Sequence, residues 1–381
     1  MSHHQVVIVG GGMAGLAVAD RLVKESPALQ VAILEPSVKH DYQRLWMMVA
    51  GGVIEPKAAR RDKATLIPAG ATWIQDSVEA FYPGYNSLVT AVGENLSYDY
   101  LIVAPGMQVN WDGVVGLRES IGKDGVCSVY SHDTAASTWE FLRSVQQGVA
   151  LFTQPTGVIK CWAGSQQVSY LAEQEFRRRG IRDQTRLVFL SGQAEMFPVN
   201  EYCKMLEEAA AEKGVETRFG TELVEIRPAT KEAVFRQTDS GKETMLRYDL
   251  LHVAPPMGPL AVVANSELAD PAGWVDVDRQ TLQHVRYPNV FSLGDASSLP
   301  TVKTGSAIRH QTPVLVSNLF ALIDDRPLTA TYDGYTGATI VTGYDHILMA
   351  EFDYSREPIV GSDSELLDLT QRMKSPGTPA V

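Results

Sequence analysis

Three glycines near the N terminus have the residue type and spacing needed to hold a phosphate group. Gly10, Gly12 and Gly15 match the pattern G-x-G-x-x-G. The first glycine permits a tight turn, the second lets the backbone approach a pyrophosphate, and the third lets a helix pack closely on a strand. Glu35 follows 20 residues after Gly15, where a carboxylate can accept hydrogen bonds from ribose hydroxyls. This spacing predicts a dinucleotide site at the N terminus of a helix.

The residues around the glycines predict the elements that must position them. Val6–Val9 is a short apolar run typical of a buried strand, and Leu16–Lys24 has the apolar face of a helix. Val31–Leu34 is a second apolar run, and it ends at Glu35. A lone glycine motif is weak evidence, but this one follows a strand, opens a helix and has an acid after the next strand. The sequence therefore predicts a βαβ unit with a bound dinucleotide.

A second candidate for chemistry is the thiol of Cys161. Its segment reads Gly157-Val-Ile-Lys-Cys161-Trp-Ala-Gly164. A pyridine-nucleotide site would need another glycine motif here, and only Gly164 remains, which counts against an NAD(P)H dehydrogenase. Cys161 lies at the start of a predicted helix, and both the helix dipole and Lys160 should lower the pKa of its thiol. The alternative is a cysteine that merely packs in the core.

The middle of the chain predicts a second βαβ unit. Val149–Thr153 and Arg186–Leu190 are predicted strands on either side of a helix near Gln166–Arg179. Further strands are predicted at Glu216–Pro228, Ala233–Arg236, Tyr248–Ala254 and Val290–Leu293. We therefore predict an α/β fold with two Rossmann-like dinucleotide-binding domains and a short C-terminal segment.

The predicted domains follow from this element order. We expect a discontinuous first domain at residues 1–112 and 276–326. A second Rossmann-like domain, without a pyridine-nucleotide fingerprint, is expected at residues 113–275. A C-terminal segment with a polar tail is expected at residues 327–381. A chain of 381 residues exceeds the size at which one hydrophobic core stops growing. Two domains are accordingly expected.

Composition excludes several classes of protein. The net charge of -12 and the pI of about 5.2 argue against nucleic acid as a partner. The longest apolar run, Leu45–Ile54, is shorter than the ~20 residues that span a bilayer. Three cysteines do not make a disulfide scaffold, and no His, Cys, Asp or Glu cluster has metal-ligand spacing. Since no secretory signal precedes the first strand, a cytoplasmic protein is expected.

Two further stretches resemble known cofactor motifs. Tyr287-Pro-Asn-Val-Phe-Ser-Leu-Gly-Asp295 resembles the second FAD fingerprint of the glutathione-reductase-like flavoproteins, and Tyr98–Gly106 resembles their intermediate motif. With the N-terminal glycines, three motifs stand in that family's order. The resemblance implies FAD as the cofactor. The residues then expected to bind it are Gly10, Gly12, Ala14, Gly15, Glu35, Gln43, Ala104, Gly106, Gly294, Asp295 and Lys303.

Nearly the whole chain resembles the sulfide:quinone oxidoreductases, especially the branch that includes the mitochondrial enzyme. The matching stretches are His40-Asp-Tyr-Gln43, Trp46, Lys160-Cys161, Leu251–Met257, Ala272–Asp278, Leu299–Thr304, Tyr332–Tyr335, Val341–Tyr344 and Glu351–Tyr354. This resemblance implies an FAD enzyme that oxidises sulfide, or a related sulfur species, to sulfane sulfur. Its electrons would pass through the flavin to quinone.

The resemblance also implies a relay of two cysteines beside the flavin, with sulfur retained as a persulfide. Cys161 matches the flavin-side cysteine, but the position of its partner is Ala338. Cys127 is the better substitute, because some bacterial members of the family carry a third functional cysteine there. The branch commonly has a lysine where this chain has Gln167, and Lys303 is expected to place positive charge near the flavin. Cys203 has no family counterpart, and core packing is its expected role.

These departures keep two alternatives open. One is a single-cysteine flavoprotein that acts on other sulfur species or passes electrons to a soluble acceptor. The other is a non-catalytic FAD-binding redox sensor or interaction protein. Leu366–Met373 is a weak amphipathic candidate for peripheral contact with the cytoplasmic face of a membrane. Homo-oligomer formation is the remaining partner expectation.

Overall fold

A computed structural model of the chain describes residues 2–359 and the backbone of Leu367–Asp368. Two parallel sheets with helices against them form the mixed α/β fold, so the predicted fold class is confirmed. The predicted amphipathic segment Leu366–Met373 lies outside the described residues except for Leu367–Asp368, as does the polar tail beyond residue 359. Among the described residues, no helix is long and apolar enough to cross a membrane.

The first part of the chain builds most of one sheet. Its strands and α-helices are β1 (Ser2–Val9), α1 (Met13–Glu25), β2 (Val31–Leu34), β3 (Lys39–Asp41), α2 (Trp46–Ala50), β4 (Arg60–Asp62), β5 (Ala71–Ile74), β6 (Val78–Tyr82), β7 (Ser87–Thr90), β8 (Asn95–Val103) and β9 (Met107–Val109). Strands β5, β2, β1 and β8 pair in that order and in parallel, and the antiparallel hairpin β6–β7 extends the sheet beyond β8.

Strand β1 is central to this first sheet. Val6 pairs with Val31 on one side and with Tyr100 on the other. Residues Val6–Val9 are all buried, because a parallel sheet is covered on both faces and its strands are apolar throughout rather than alternating. The carboxyl end of β1 leads directly into the glycine turn and then into α1.

The second part of the chain builds the other parallel sheet. Its elements are α3 (Leu117–Ser120), β10 (Val126–Cys127), α4 (His132–Ser144), β11 (Gly148–Gln154), α5 (Gly164–Arg178), β12 (Thr185–Ser191), α6 (Asn200–Glu212), β13 (Glu216–Arg218), β14 (Thr221–Arg227), β15 (Glu232–Gln237), β16 (Glu243–Arg247), β17 (Leu250–Val253), β18 (Met257–Pro259) and α7 (Ala261–Ala264). The parallel order is β10, β17, β11, β12, β13, and β14–β16 form a separate antiparallel sheet.

One predicted strand is divided in the structure. The run Glu216–Pro228 was expected to be continuous, but it breaks at Gly220, whose φ of 59° is left-handed. The residues before the break pair with β12, and those after it pair with β15. The prediction of a single strand is therefore wrong, because a glycine turn redirects the chain into another sheet.

The chain then returns to the first sheet and ends in a third. The last elements are β19 (Val290–Ser292), α8 (Gly305–Ile323), β20 (Thr336–Val341), β21 (His346–Phe352) and β22 (Leu367–Asp368). Strand β19 pairs in parallel with β8, and β20–β22 form an antiparallel sheet in sequence order. Strands β9 and β18, which lie on the two connections between the parallel sheets, pair with each other. The domain boundaries given above remain predictions.

Replacing Phe291 by Ala tests whether β19 holds the first sheet together. Phe291 is completely buried, so removing its ring should lower the free energy of unfolding by about 3–5 kcal/mol. Tyr85→Ala is the matched control, because Tyr85 is 84% exposed and its loss should change stability by less than about 0.5 kcal/mol. Thermal unfolding followed by circular dichroism measures both. Equal shifts of the two midpoints would contradict this account of the core.

Candidate functional site

The glycine turn after β1 is shaped by close packing on two sides and by open space on the third. Gly10 has a φ of 101°, and a Cβ added to it would lie 2.4 Å from the carbonyl oxygen of Ala104. A Cβ added to Gly15 would lie 1.8 Å from the carbonyl oxygen of Gly10. A Cβ on Gly12 would meet no protein atom within 4 Å. No described side chain caps α1. Gly12 and the free N–H groups of the first turn therefore face a space that suits a pyrophosphate.

Glu35 braces this turn directly. Its Oε2 accepts a hydrogen bond from the Gly11 N–H at 2.7 Å, and its Oε1 accepts one from the Ser37 N–H at 2.8 Å. The Nζ of Lys63 lies 3.6 Å from Oε2 and donates to the Gly11 carbonyl. Lys63 is almost completely buried. Burial lowers the pKa of its ammonium group, although the negative charge of Glu35 raises it by a smaller amount. Lys63 carries no signal in the sequence, because nothing in its polar surroundings indicates burial.

The second predicted FAD motif meets the first one. A Cβ on Gly294 would lie 3.3 Å from the Cβ of Ala14, and one on Gly305 would lie 2.9 Å from the Sδ of Met13. The Gly294 N–H donates to the Oε1 of Gln311 at 2.8 Å. Glycine at both positions thus lets the starts of α1 and α8 come together. Residues near the N terminus and residues almost 300 positions later thus form one edge of the site.

Asp295 and Lys303 supply opposite charges at this edge. No described residue donates a hydrogen bond to the Asp295 carboxylate, and burial raises its pKa although Lys303 and Lys160 act in the opposite direction. The Nζ of Lys303 donates to the Ser297 carbonyl at 2.5 Å and lies 4.8 Å from the centre of the Trp274 ring. Burial lowers the pKa of Lys303 to about 8. A free carboxylate can accept from a ribityl hydroxyl, so this donor and acceptor set fits FAD.

The remaining predicted cofactor residues lie around the same turn or on the surface. Ala104 backs Gly10, as described above, and Gly106 has a φ of 78° with open space beside it. Gln43 is exposed at the start of a short 3-10 turn, Gln43–Leu45. Within residues 2–359, no group of three or more His, Cys, Asp or Glu side chains is arranged to hold a metal ion.

Cys161 lies against Lys303 in a strained conformation. Its φ is 53°, which few residues other than glycine adopt. The Cys161 N–H donates to the Lys303 carbonyl at 3.4 Å, Lys160 and Lys303 form a parallel β-bridge, and the Tyr130 hydroxyl donates to the Cys161 carbonyl at 3.3 Å. The side chain is exposed, although protein surrounds it, so it lines a recess. We call Lys160, Cys161, Asp295 and Lys303 the thiol cluster.

The pKa of the Cys161 thiol is raised, which corrects the expectation of a lowered value. Burial is the largest cause, and a hydrogen bond from Gln167 and the charges of Arg44 and Lys160 oppose it. Helix α5 begins three residues later, at Gly164. Because the effect of a helix dipole fades within one turn, a thiol outside the helix gains little from it.

Gln167 connects Cys161 to the third sheet. Its Nε2 donates to the Sγ of Cys161 at 3.6 Å, while its Oε1 accepts from the Val341 N–H at 2.9 Å. Ala338, the expected position of a second redox cysteine, lies three residues before Val341 on the same strand. The strand on which the partner thiol is expected is therefore held beside Cys161, but position 338 carries the methyl group of an alanine in place of a thiol.

The other two cysteines are buried and free. Cys127 has no exposed surface, lies next to the buried His252 in the sheet, and has a pKa raised by burial to about 12. Cys203 is 7% exposed and its Sγ lies 3.5 Å from the Oε1 of Glu207 on the same helix. The position of Cys127 argues against its predicted catalytic role, since substrate cannot reach it there. Core packing, the expected role of Cys203, agrees with its position.

The loop before α5 is filled by side chains. A Cβ on Gly164 would lie 2.3 Å from the Tyr130 hydroxyl, and the Trp162 Nε1 donates to the Met196 carbonyl at 3.1 Å. In a pyridine-nucleotide site the backbone here must approach a pyrophosphate. Gly164 instead makes room for Tyr130, which supports the expectation that this second βαβ unit lost such a ligand.

Comparisons with known proteins place the chain among flavin-linked oxidoreductases. The family described as pyridine nucleotide-disulphide oxidoreductase matches residues 4–149. The mitochondrial sulfide:quinone oxidoreductase of Dictyostelium discoideum is 49% identical over 356 residues, 93% of this chain and 78% of that protein. The protein of the same name from Mus musculus is 39% identical over 94% of this chain and 80% of its own length.

A solved structure shares the fold. The sulfide:quinone oxidoreductase of Aquifex aeolicus superposes with a TM-score of 0.79 over 92% of this chain and 84% of that chain, at 19% sequence identity. The similar relatives also correct one expectation. They are named as mitochondrial proteins, so the cytoplasmic location expected from the sequence is wrong.

Two glycine substitutions separate the fold of the turn from its ligand. Gly15→Ala should destabilise the protein and abolish retention of FAD, because its Cβ would overlap the Gly10 carbonyl. Gly12→Ala should leave the melting temperature of the apoprotein unchanged but weaken FAD binding about tenfold or more, since its methyl group enters only the ligand space. Apoprotein melting and FAD titration by fluorescence provide the readouts. An unaltered FAD affinity in Gly12→Ala would exclude this turn as the pyrophosphate site.

The pH dependence of alkylation tests the electrostatics of Cys161. The rate of reaction with iodoacetamide should rise with pH and reach its midpoint above the ordinary thiol value of ~8.5, because burial raises this pKa. Gln167→Lys should lower the midpoint by about one to three pH units by placing a cation beside the thiolate, whereas Gln167→Met should not lower it. Peptide mass spectrometry isolates the signal of Cys161. A midpoint below about 8 in the unaltered protein would contradict a raised pKa for the Cys161 thiol.

Proposed function

The chain belongs to the sulfide:quinone oxidoreductase family, and we propose on this premise that it is an FAD-dependent enzyme that oxidises sulfide and delivers the electrons to quinone. The observation that carries the proposal is the position of Cys161. This thiol is accessible in a recess and is bonded through its backbone to Lys303, at the edge where the two FAD motifs meet.

The residues that hold FAD divide by the part of the cofactor they suit. Gly12 and the uncapped first turn of α1 suit the pyrophosphate, and Glu35 can accept from a ribose hydroxyl with lone pairs that the Gly11 and Ser37 amides leave free. Asp295 suits the ribityl chain, because its carboxylate has no described hydrogen-bond donor. Ala14, Gly10 and their neighbours shape the cavity by packing rather than by polar contact.

Lys303 keeps positive charge at the flavin end of the site. With a pKa of about 8, the ammonium group stays largely protonated at neutral pH. The Ser297 carbonyl and the Trp274 ring hold this ammonium group beside the other members of the thiol cluster. A fixed cation stabilises negative charge that develops on a bound group during reduction.

Cys161 is the residue that captures sulfur. Its thiolate would form a bond with the sulfur of hydrosulfide, whose proton is lost to solvent, and the persulfide forms only if a two-electron oxidant takes up the two electrons. The chemistry that FAD supplies when bound is the uptake of these two electrons and their transfer to quinone. Gln167 fixes the thiol during this step through its hydrogen bond to the Sγ. The persulfide sulfur then leaves to an external acceptor, because no second cysteine is available to receive it.

The absence of a partner thiol favours a second candidate function. All three cysteines lie within the described residues, and Cys161 is the one that substrate can reach. Ala338 stands where the family resemblance places the second cysteine. A single-thiol flavoprotein would take sulfur from other sulfur species, or pass electrons to a soluble acceptor, and would be reduced slowly by sulfide alone.

The relatives also bear on where the protein acts. We propose a mitochondrial location, since the similar relatives are named as mitochondrial proteins. Quinones of respiratory chains dissolve in lipid, which supports weak peripheral contact with a membrane. Formation of homo-oligomers is retained as an expectation from the sequence.

Cys161→Ser tests the proposed function. The variant should lose flavin reduction by sulfide, by at least about a hundredfold, because a serine hydroxyl cannot form the persulfide. FAD binding should be unchanged, since Cys161 lies outside the glycine turn. Anaerobic stopped-flow absorbance at the flavin band measures the rate. If this variant is reduced as fast as the unaltered protein, Cys161 has no role in the chemistry.

Ala338→Cys asks whether a second thiol restores a relay. Strand β20 is tied to Cys161 through Gln167, so the new thiol should raise the rate of flavin reduction by sulfide about tenfold or more. Ala338→Ser is the matched control, because it adds an atom of similar position without redox chemistry. Equal rates in both variants would show that position 338 does not serve as the partner site.

A further inference from the structure

Arg44 is a cation without an acidic partner. Its side chain is exposed, and its Nη2 donates to the hydroxyl of Thr339 at 2.5 Å. Among the described residues no carboxylate forms an ion pair with Arg44, whereas the nearby Arg60 binds both oxygens of Asp41 at 2.6 and 2.8 Å. A neutral hydroxyl as its partner leaves most guanidinium donors unused in a chain with a net charge of -12.

The contacts of strand β20 place this cation close to the thiol. Thr339, which holds Arg44, lies two residues before Val341, which is bound by Gln167. Residues two apart on a strand are separated by about 7 Å. Gln167 in turn bonds the Sγ of Cys161. Arg44 therefore contacts strand β20 at Thr339, and Cys161 is linked to the same strand at Val341 through Gln167. The positive charge of Arg44 acts to lower the pKa of the thiol.

The other cations near Cys161 are committed elsewhere. Lys303 is buried and donates to the Ser297 carbonyl. Lys160 is partly buried, with its Nζ 5.9 Å from the centre of the Trp46 ring. The acid of the cluster, Asp295, has both lysines acting on it. Arg44 alone among these groups is exposed, so it is the charge that an incoming anion meets before the thiol.

We propose that Arg44 recruits the anionic form of the sulfur substrate, hydrosulfide, and directs it to Cys161, while Thr339 holds the guanidinium group at the entrance. This role rests on the proposed function for the identity of the anion. Its physical basis is electrostatic: a cation beside a recess raises the local concentration of anions and their rate of entry, and salt weakens the effect. Arg44 thereby sets the preference of the site for charged over neutral reactants.

Alkylation with two reagents of similar size tests this role without catalysis. Iodoacetate is an anion and iodoacetamide is neutral, and both react with the same thiolate. The ratio of their rates at Cys161, measured by peptide mass spectrometry at fixed pH, cancels any change in the pKa of the thiol. Arg44→Gln should lower the iodoacetate-to-iodoacetamide ratio about three- to tenfold at low salt. Arg44→Lys should keep most of the ratio. Added salt should lower the ratio in the unaltered protein and in Arg44→Lys much more than in Arg44→Gln.

Arg61→Gln is the matched control. Arg61 is an exposed arginine on β4 whose charge is not among those acting on Cys161, so its loss changes net charge equally but should leave the ratio unchanged. An equal ratio in Arg44→Gln and the unaltered protein overturns the proposal. For sulfide, Arg44→Gln should lower the second-order rate of flavin reduction without lowering the limiting rate. If the ratio falls but sulfide reduces none of the variants, the proposed function fails and Arg44 is still the anion-recruiting residue.

Discussion

The close contact between the start of α1 and the segment at Gly294 is the constraint on which the rest of the site depends. Without a Cβ, Gly294 lies against Ala14, and Gly10 lies against the Ala104 carbonyl. These contacts bring the carboxyl ends of β1, β8 and β19 to one point, although β19 is reached only after the chain has built a second sheet. Open space then remains beside Gly12, where a pyrophosphate can lie over free helix amides.

The same arrangement determines the chemistry of the thiol. Because Lys303 follows the Gly294 segment and its carbonyl binds the Cys161 amide, the position of the thiol is coupled to the cofactor edge rather than to helix α5. Burial raises the pKa of Cys161, and three different groups, Gln167, Arg44 and Lys160, act against it. Reactivity therefore depends on two polar groups from the segment of Cys161 itself, Lys160 and Gln167, and on one from a distant part of the chain, Arg44.

Local patterns predicted the local parts of this structure. The apolar run Val31–Leu34 coincides with β2, and the glycine spacing identified the turn before α1, because both depend on a few adjacent residues. The long-range features could not be predicted in this way. Lys63, Arg44 and Gln311 carry no sequence signal, since their importance comes from partners up to 295 residues away. The lowered pKa expected for Cys161 was wrong because the sequence shows a helix start but not the burial before it.

The central claim is that Cys161 takes up sulfur from sulfide as electrons leave for the flavin. Anaerobic titration of the FAD-loaded protein with sulfide, followed by mass analysis of the Cys161 peptide, tests it most directly. The account predicts loss of the flavin absorbance at about one sulfide per FAD, with one sulfur atom added to Cys161 and none to Cys127 or Cys203. It further predicts that a short-chain quinone restores the absorbance. Loss of absorbance with an unmodified Cys161 would contradict the account.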